Sequence, residues 1–397
     1  MKTSCEKEQS GFALSIQLFT LYLLVYGSSI SFLFPAFRDL INILRVFMAA
    51  ITLSIEKKIP ITYSRSFDTL ITMIISIILM CISYIYTNDI EFGGERFIIC
   101  APTIFFMLVI YLISKKITIM SLRSFLKKTL KFNTFIMLIF FFLHFGSFLN
   151  CIRSGGRFGD DLGKNPIWIA RICGEQILLL FVLSKWKLIQ SKKILFLFLL
   201  IICFATGSKG PIFSVIIIGI SYYISISMLM SRKIAILISA TILSVLFVFL
   251  LNNLLSIPIL NRFSNKSVES ATSVSNGSRA SMYLYTLNAI PEKLLFGHGL
   301  GSWTNSYWSI YGVSAVKNSY PHNILLEMLF ECGLITTFFW VFSIIKIKKY
   351  FKKYKYSVVY SFYLILLLNI FYGMFSGSII DGNRGIYYFF SICCALI

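Results

Sequence analysis

The chain has 397 residues, of which 57% are hydrophobic and only 13% are charged. A soluble protein carries about 25% charged residues, so this composition excludes an ordinary soluble domain. Apolar runs recur along the whole length, and many approach the roughly 20 residues that a helix needs to cross a hydrocarbon layer. The net charge of +21 would suit a nucleic-acid-binding protein, but the placement of the basic residues argues otherwise.

The apolar runs predict an all-α polytopic integral membrane protein with about twelve transmembrane helices. One long polar loop divides the chain into a scaffold (1–254), the loop itself (255–320) and a C-terminal group of helices (321–397), which together form a single integrated membrane domain. The predicted spans are 11–34, 39–55, 68–87, 96–114, 131–150, 166–184, 194–206, 210–230, 234–254, 321–345, 356–375 and 380–397.

Lysine and arginine residues in short loops predict which side of the membrane each loop faces. With the N-terminus in the cytoplasm, about 23 of the 37 basic residues fall in inward-facing loops. The outward-facing loops collect acidic residues such as Asp89, Asp160 and Asp381. Both termini are then cytoplasmic and the long loop is periplasmic. The basic excess is explained by this topology, and nucleic-acid binding is not expected.

The nine cysteines lie mostly inside the apolar runs. No pair of them has the spacing of metal ligands, and the adjacent Cys393 and Cys394 are poor disulfide partners. We interpret them as small apolar residues. The sequence therefore predicts neither a disulfide framework nor a metal site.

Basic residues on the predicted outer face could bind a phosphate group, because the guanidinium fork matches phosphate oxygens. For any single loop arginine, scattered solvated charge is the plainer interpretation. Arg171 differs, since it lies inside an apolar helix, where a charge is costly and usually functional; an ion pair with Glu175, four residues on, is the structural alternative. The whole set is Arg153, Arg157, Lys164, Arg171, Lys209, Arg262, Arg279, Lys317 and Arg384.

His322 opens the tenth span, between Pro321 and Asn323. An ordinary histidine pKa of about 6.5 suits a general base, although a lone histidine is more often structural. Glu327 and Glu331 lie one turn apart within the same span. We expect each carboxylate to meet an arginine or to line a polar cavity, and either could replace His322 as the base.

Two short glycine-containing segments interrupt the pattern. Residues 297–301 (Gly-His-Gly-Leu-Gly) match a dinucleotide fingerprint only superficially, because no strand precedes them; a close-turning loop that lets backbone approach a substrate is expected instead, with His298 as a candidate contact. Residues 205–211 predict a tight turn between two helices, a broken helix whose amides meet a ligand, or both. Nearby aromatic residues predict an interfacial belt or a platform for sugar rings: Trp303, Tyr307, Trp308, Tyr311 and Tyr320.

In this order, the motifs resemble the O-antigen polymerase and O-antigen ligase superfamily, polytopic glycosyltransferases of the bacterial envelope. Their order together with the long outer loop is more specific than any one motif. Lys209 departs from the family pattern, which often has arginine there, and would weaken a bidentate phosphate contact. The matching pieces are 165–171, 206–210, 276–279, 296–301, 322–323 followed by Gly333, and 376–384.

The resemblance implies a GT-C-like membrane glycosyltransferase of the inner membrane. Its donor would be an oligosaccharide on undecaprenyl pyrophosphate, and an acceptor sugar hydroxyl would attack the anomeric carbon with inversion. His322 would be the base and Arg279 would stabilise the departing pyrophosphate. No metal or cofactor is expected, because a lipid pyrophosphate is a good leaving group. The residues assigned to substrate binding are Arg157, Arg171, Lys209, Arg262, His298, Glu327 and Arg384.

Three functions remain open at this point. A polymerase would transfer the growing glycan to another lipid-linked repeat unit, and a ligase would transfer it to lipid A–core. The short chain favours the polymerase, whereas the spacing from His322-Asn323 to Gly333 also resembles the ligase. A flippase of lipid-linked oligosaccharides is the alternative of another class, but polar residues gather at the outer helix ends, which favours chemistry there. A polymerase would work beside a chain-length regulator and a flippase of its pathway.

Overall fold

The structure, a computed structural model, describes residues 2–55, 65–189, 193–226, 279–310, 320–380 and 383–397. Those residues form fourteen α-helices and no strand, which confirms the predicted all-α class for this part of the chain. The helices are α1 (Lys2–Leu33), α2 (Arg38–Ile55), α3 (Arg65–Ser83), α4 (Ile90–Lys116), α5 (Ile119–Leu143), α6 (Phe145–Ser154), α7 (Pro166–Lys185), α8 (Lys193–Ala205), α9 (Lys209–Ile226), α10 (Arg279–Ala289), α11 (Ser302–Ser309), α12 (Ile324–Phe351), α13 (Tyr360–Phe375) and α14 (Arg384–Ala395).

Six of the described helices are long and apolar enough to cross a membrane, and a seventh span results if α5 and α6 form one bent span. The chain is therefore a polytopic membrane protein. Helices α8 and α13 are apolar but shorter, and the predicted span 234–254 lies outside the described residues, so the total of twelve stays a prediction. The six spans are Phe12–Leu33, Ser66–Tyr86, Ile90–Lys116, Pro166–Lys185, Lys209–Ile226 and Ile324–Tyr354.

The fifth span differs from its prediction. The predicted span was 131–150, but α5 already begins at Ile119, because the Thr118 side chain caps it by accepting a hydrogen bond from the Ser121 N–H at 3.3 Å. The chain then turns by 69° into α6, and at this bend the His144 ring packs edge-on against Phe140. The prediction of an inner loop before residue 131 was wrong, since its basic residues lie on α5: Arg123, Lys127, Lys128 and Lys131.

The main core forms around α14, which packs against α4, α13 and α3. Its side chains from Ile386 to Cys394 are all buried. A helix of this length covers only about 18 Å, less than the ~30 Å of hydrocarbon, so α14 does not reach the length predicted for the last span. A second core joins α5, α6, α7 and α8, and a third joins α10 and α11 to α12.

Helix α2 shows how the bundle meets lipid. Its buried positions, Ile41, Arg45 and Ala49, follow a helical spacing and face the rest of the protein. Large apolar side chains on its other faces, Ile43 and Phe47 among them, are more than half exposed. Since a water-soluble surface would not carry such a stripe, this face is the one that contacts the hydrocarbon.

Candidate functional site

Helix α12 is interrupted at Gly333, whose φ of +75° places it outside the helical region. The interruption frees the carbonyl groups of Phe330 and Glu331. These accept hydrogen bonds from the N–H groups of His298 and Gly299, each at 2.8 Å. The glycine-rich loop 297–301 therefore docks into the helix break and satisfies groups that would otherwise be orphaned.

The glycines of this loop are required by close approach to backbone. A Cβ on Gly297 would collide with the backbone of Glu331, one on Gly299 with Thr87, and one on Gly301 with Gly93. All three glycines also have positive φ, a conformation that other residues adopt only at a cost. The prediction of a close-turning loop is confirmed, but the backbone that it approaches belongs to α12 and to the α3–α4 region.

A buried arginine–carboxylate cluster lies beneath the loop. One terminal nitrogen of Arg96 contacts both oxygens of Glu331 at 2.5 Å, and the other contacts Glu327 Oε1 at 2.9 Å. Both carboxylates are fully buried. Glu331 also accepts hydrogen bonds from the backbone N–H groups of Gly301 at 3.0 Å and Trp303 at 3.4 Å. The expectation that both carboxylates meet an arginine is confirmed, and the cluster ties α4, α12 and the loop together.

The same cluster is linked to Arg171 through hydrogen bonds. Ser378 Oγ donates to Glu327 Oε1 at 3.1 Å. The Asn383 amide donates to the Ser378 carbonyl at 2.5 Å, and its oxygen accepts from Arg171 at 3.0 Å. A continuous polar connection thus runs from α7 through the segment before α14 to the cluster at Arg96, inside the helical bundle.

Arg171 is buried and held in one orientation. Besides Asn383, it donates to the backbone carbonyl of Tyr372 at 2.8 Å. Its guanidinium lies over the ring of Trp168, 4.6 Å from the ring centroid, and within 5.3 Å of the Tyr372 ring centroid. Glu175, the sequence-based alternative partner, accepts a hydrogen bond from Tyr26 on α1 at 2.6 Å. Amide, carbonyl and aromatic groups orient a guanidinium without neutralising it.

His322 has an unusual local conformation. Its φ of +56° lies in the left-handed region, which costs roughly 1–2 kcal/mol for a residue with a side chain. Asn323 begins α12 by accepting hydrogen bonds from the N–H groups of Leu325 and Leu326, so His322 is fixed at the entrance of the helix. Such strained residues are concentrated at functional sites.

The imidazole of His322 is poised as a proton acceptor. Its Nδ1 is buried and has no hydrogen-bond partner among the described residues. Burial, with a smaller contribution from the positive charge of Arg279, lowers the pKa of His322 to about 4. The ring is therefore neutral at physiological pH.

The structure brings Arg171, His322 and Arg279 into one region. The ring of Tyr320 packs edge-on against His322 with centroids 4.6 Å apart, and Tyr320 lies within electrostatic range of Arg171. Arg279, the exposed first residue of α10, interacts electrostatically with His322. Cationic groups from two separate helices thus flank one neutral imidazole.

Arg157 and Lys209 occupy a second region, at the turn between α8 and α9. Arg157 donates to the Thr206 carbonyl at 3.0 Å and to the Ser208 hydroxyl at 2.9 Å, and Gly207 has a φ of +61°. The tight-turn interpretation of this segment is confirmed. Arg157 holds its own loop to this turn, and Lys209 begins α9 beside it.

His298, predicted as a substrate contact, is engaged within the fold. Its Nε2 lies 3.0 Å from the Ala289 carbonyl, and its ring stacks on Phe330 with centroids 4.3 Å apart. Arg384 begins α14 and is half-buried. Arg262 and Lys317 lie outside the described residues.

The aromatic residues of the long loop are not a surface feature. Trp303 and Tyr307 are fully buried and stack on each other with centroids 4.8 Å apart. The Trp303 indole donates to Thr286 at 2.8 Å, and the Tyr307 hydroxyl pairs with Ser281 at 2.8 Å. The predictions of a belt and of a sugar platform were both wrong for these two residues, because the loop has a core of its own. Tyr311 lies outside the described residues.

Sequence reasoning missed Arg96. The predicted fourth span began at this residue, which made it a boundary charge. The helix begins at Ile90, so Arg96 lies about 9 Å along it and is buried. Arg45 on α2 was missed as well; it is buried and donates to the Leu24 carbonyl at 2.9 Å. Both could have been found by the rule that singled out Arg171, a cation inside an apolar run.

Comparison with protein families gives one match. Residues 194–341 match the family model described as O-antigen ligase. The matched part is more than a third of the chain and runs from α8 into α12, so it includes Lys209, Arg279 and His322. A comparison with curated protein sequences found no match. The family match confirms the resemblance of this chain to the O-antigen polymerase and O-antigen ligase superfamily.

Proposed function

We propose that the protein is a surface-polysaccharide polymerase of the O-antigen type, which joins oligosaccharide repeat units carried on undecaprenyl pyrophosphate. The observation that carries the proposal is the environment of His322. Its Nδ1 is buried without a partner among the described residues, and the ring is flanked by the cation Arg279. A neutral imidazole with an unused nitrogen can accept a proton from a sugar hydroxyl.

The proposed reaction balances with two substrates. The acceptor hydroxyl gives its proton to His322 Nδ1 while its oxygen attacks the anomeric carbon of the donor sugar. The bond from that carbon to the pyrophosphate oxygen breaks, and lipid pyrophosphate leaves with the electron pair. The anomeric configuration is inverted, because attack and departure occur on opposite faces. The pyrophosphate is a good leaving group, so the proposal needs no general acid and no metal.

In this proposal the arginines stabilise the charge that develops on the pyrophosphate. Arg279 and Arg171 are the principal contacts, since they flank His322. Arg157, Lys209, Arg262 and Arg384 extend the basic surface toward the rest of the donor. Glu327 is given a positioning role, because it contacts Arg96 and Ser378.

The low pKa of His322 has a consequence for the order of events. An imidazole with a pKa of about 4 is a weak base. When an anionic pyrophosphate binds beside Arg279, its negative charge offsets the arginine and favours the protonated imidazole. The base therefore becomes stronger once the donor is in place, which protects the empty enzyme from unproductive proton uptake.

A ligase is the second candidate, because the matching family model is described as O-antigen ligase. The two activities differ only in the acceptor. A ligase would use the same imidazole and the same cations, and would transfer the glycan to lipid A–core. The test must therefore vary the acceptor while the donor is kept constant.

The purified protein, supplied with lipid-linked repeat units in proteoliposomes, tests the proposal. Products longer than one repeat, formed without nucleotide sugar or ATP, are expected. Transfer that occurs only after addition of lipid A–core would identify a ligase. Movement of the glycan across the bilayer without a new glycosidic bond would identify a flippase and contradict glycosyl transfer altogether.

The proposed periplasmic location of the reaction is tested separately. Reporter fusions after Lys58 and Lys353 are expected to be cytoplasmic, and fusions near Ser275 periplasmic, since basic residues concentrate in the inward loops. A periplasmic reporter at either lysine, or a cytoplasmic one at Ser275, would contradict this orientation of the chain.

A further inference from the structure

Residues 294–296 form a turn of three apolar residues, Leu-Leu-Phe, that carries its side chains on the outside. The exposed fractions are 43% for Leu294, 54% for Leu295 and 63% for Phe296. A soluble surface rarely exposes several large apolar side chains side by side, and such patches mark an interaction with a partner or a membrane.

The backbone of this turn has the hydrogen bonding that hydrocarbon requires. The Leu294 and Leu295 carbonyls accept from the N–H groups of Leu334 and Ile335, at 2.8 and 3.3 Å. The Phe296 carbonyl accepts from the Tyr86 hydroxyl at 2.6 Å. Non-helical backbone is tolerated at membrane depth only when its polar groups are satisfied by protein, and these three carbonyl groups are.

The turn docks where the lipid-facing stripe of α12 begins. Leu334, Phe338, Phe342 and Ile345 are exposed and share one face of the helix, since they are spaced by four, four and three residues. Residues 334–351 extend for about 27 Å, close to the ~30 Å of a hydrocarbon layer. The break at Gly333 therefore marks one edge of the hydrocarbon, and the turn lies at that edge.

The neighbouring connection between α3 and α4 has the same character. Ile85 and Ile90 are strongly exposed, and Tyr86 between them contacts the turn. An open hollow of about 500 Å³ lies between Tyr86 and residues 292–297. Acyl chains can fill such a hollow without any change in the protein.

We propose that the 294–296 turn is a wedge that inserts its three side chains among the acyl chains of the bilayer. The occupant is bilayer lipid, because the exposed surface is continuous with the lipid-facing stripe of α12 and because the carbonyl groups of the turn are already bonded. Part of the segment predicted as a periplasmic loop thus contacts the membrane. The inference rests on burial and hydrogen bonding alone, and is independent of the proposed glycosyl transfer.

A fluorescent label on a new cysteine tests the wedge. The eight described native cysteines are buried or half-buried, and labelling of the unmodified protein measures their background. The test variant is Phe296→Cys, with Leu295→Cys as a second position if the first does not fold. Asn305→Cys, exposed on α11, is the matched aqueous control, and Leu334→Cys is the lipid-facing control. Each is labelled with a nitrobenzoxadiazole dye and reconstituted in vesicles of phosphatidylethanolamine and phosphatidylglycerol.

The expected result is a blue-shifted emission at position 296 that is lost when the vesicles contain nitroxide-labelled acyl chains, as at position 334. The label at 305 should be quenched by aqueous iodide and unaffected by the nitroxide lipid. Quenching of the 296 label by iodide alone would overturn the wedge. Protection of the 296 label from both quenchers would also overturn it, because it would place protein, such as a second copy of the chain, over the turn.

Discussion

The two histidines of the matched region belong to different kinds of structure. His298 lies in the glycine-rich loop, where its Nε2 contacts a backbone carbonyl and its ring stacks on Phe330. His322 lies at the entrance of α12 with a strained backbone and a buried Nδ1 that has no partner among the described residues. The fold satisfies the first side chain and leaves the second available. A polar group that the fold leaves unsatisfied is the better candidate for chemistry, although both residues look alike in the sequence.

Replacing His322 has the largest expected effect on activity. His322→Ala should lower the rate of glycosyl transfer by about 10²- to 10⁴-fold, the usual contribution of a general base. The thermal midpoint of the detergent-solubilised protein should not fall, because the lost nitrogen has no partner. An alanine variant with normal transfer rates would remove His322 from the mechanism.

Replacing Arg96 should damage the His298 side of the comparison most. Arg96→Ala leaves Glu327 and Glu331 buried without their cation, and breaking a buried pair costs about 3–5 kcal/mol of stability. Thermal unfolding monitored by tryptophan fluorescence measures the loss. Arg123→Ala, exposed on α5, is the matched control and should change little. Equal stability of the two variants would show that the cluster does not hold the loop.

Arg279→Ala tests the charge beside His322. The variant should lose about 10²- to 10³-fold in transfer rate, as expected when one charge-stabilising group is removed, with an unchanged protein level in the membrane. Lys293→Ala, an exposed cation in the same loop, should retain activity. Normal banding of surface polysaccharide in cells that carry only Arg279→Ala would contradict its role.

His298→Ala has the smallest expected effect on activity. The loss of one buried hydrogen bond and one ring contact should lower stability by roughly 1–3 kcal/mol and the transfer rate by only a few-fold at a temperature where the protein is folded. Thermal unfolding and the transfer assay, performed on the same preparation, separate the two effects. A larger loss of rate than in His322→Ala would exchange the roles of the two histidines.

The sequence predicts the elements better than it predicts their contacts. Apolar length identifies the spans, and the glycine pattern correctly predicts a loop that approaches backbone. The ion pairs of Arg96 join residues 235 positions apart, and no local pattern contains that pairing. The buried stacking of Trp303 on Tyr307 was also missed, because only the fold shows that the loop encloses a core. At His322 the sequence indicates the residue type, whereas the strained backbone and the unpartnered nitrogen appear only in the structure.

The pH dependence of the reaction tests the central claim most directly, that a neutral His322 accepts the proton. For the free enzyme the pKa of His322 is about 4, so kcat/KM should stay level between pH 8 and 5 and fall only as the ring becomes protonated near pH 4. In the donor complex the pyrophosphate charge raises this pKa, so kcat should begin to fall at a higher pH than kcat/KM. A common inflection of both parameters near the ordinary histidine pKa of about 6.5, retained in His322→Ala, would contradict the account.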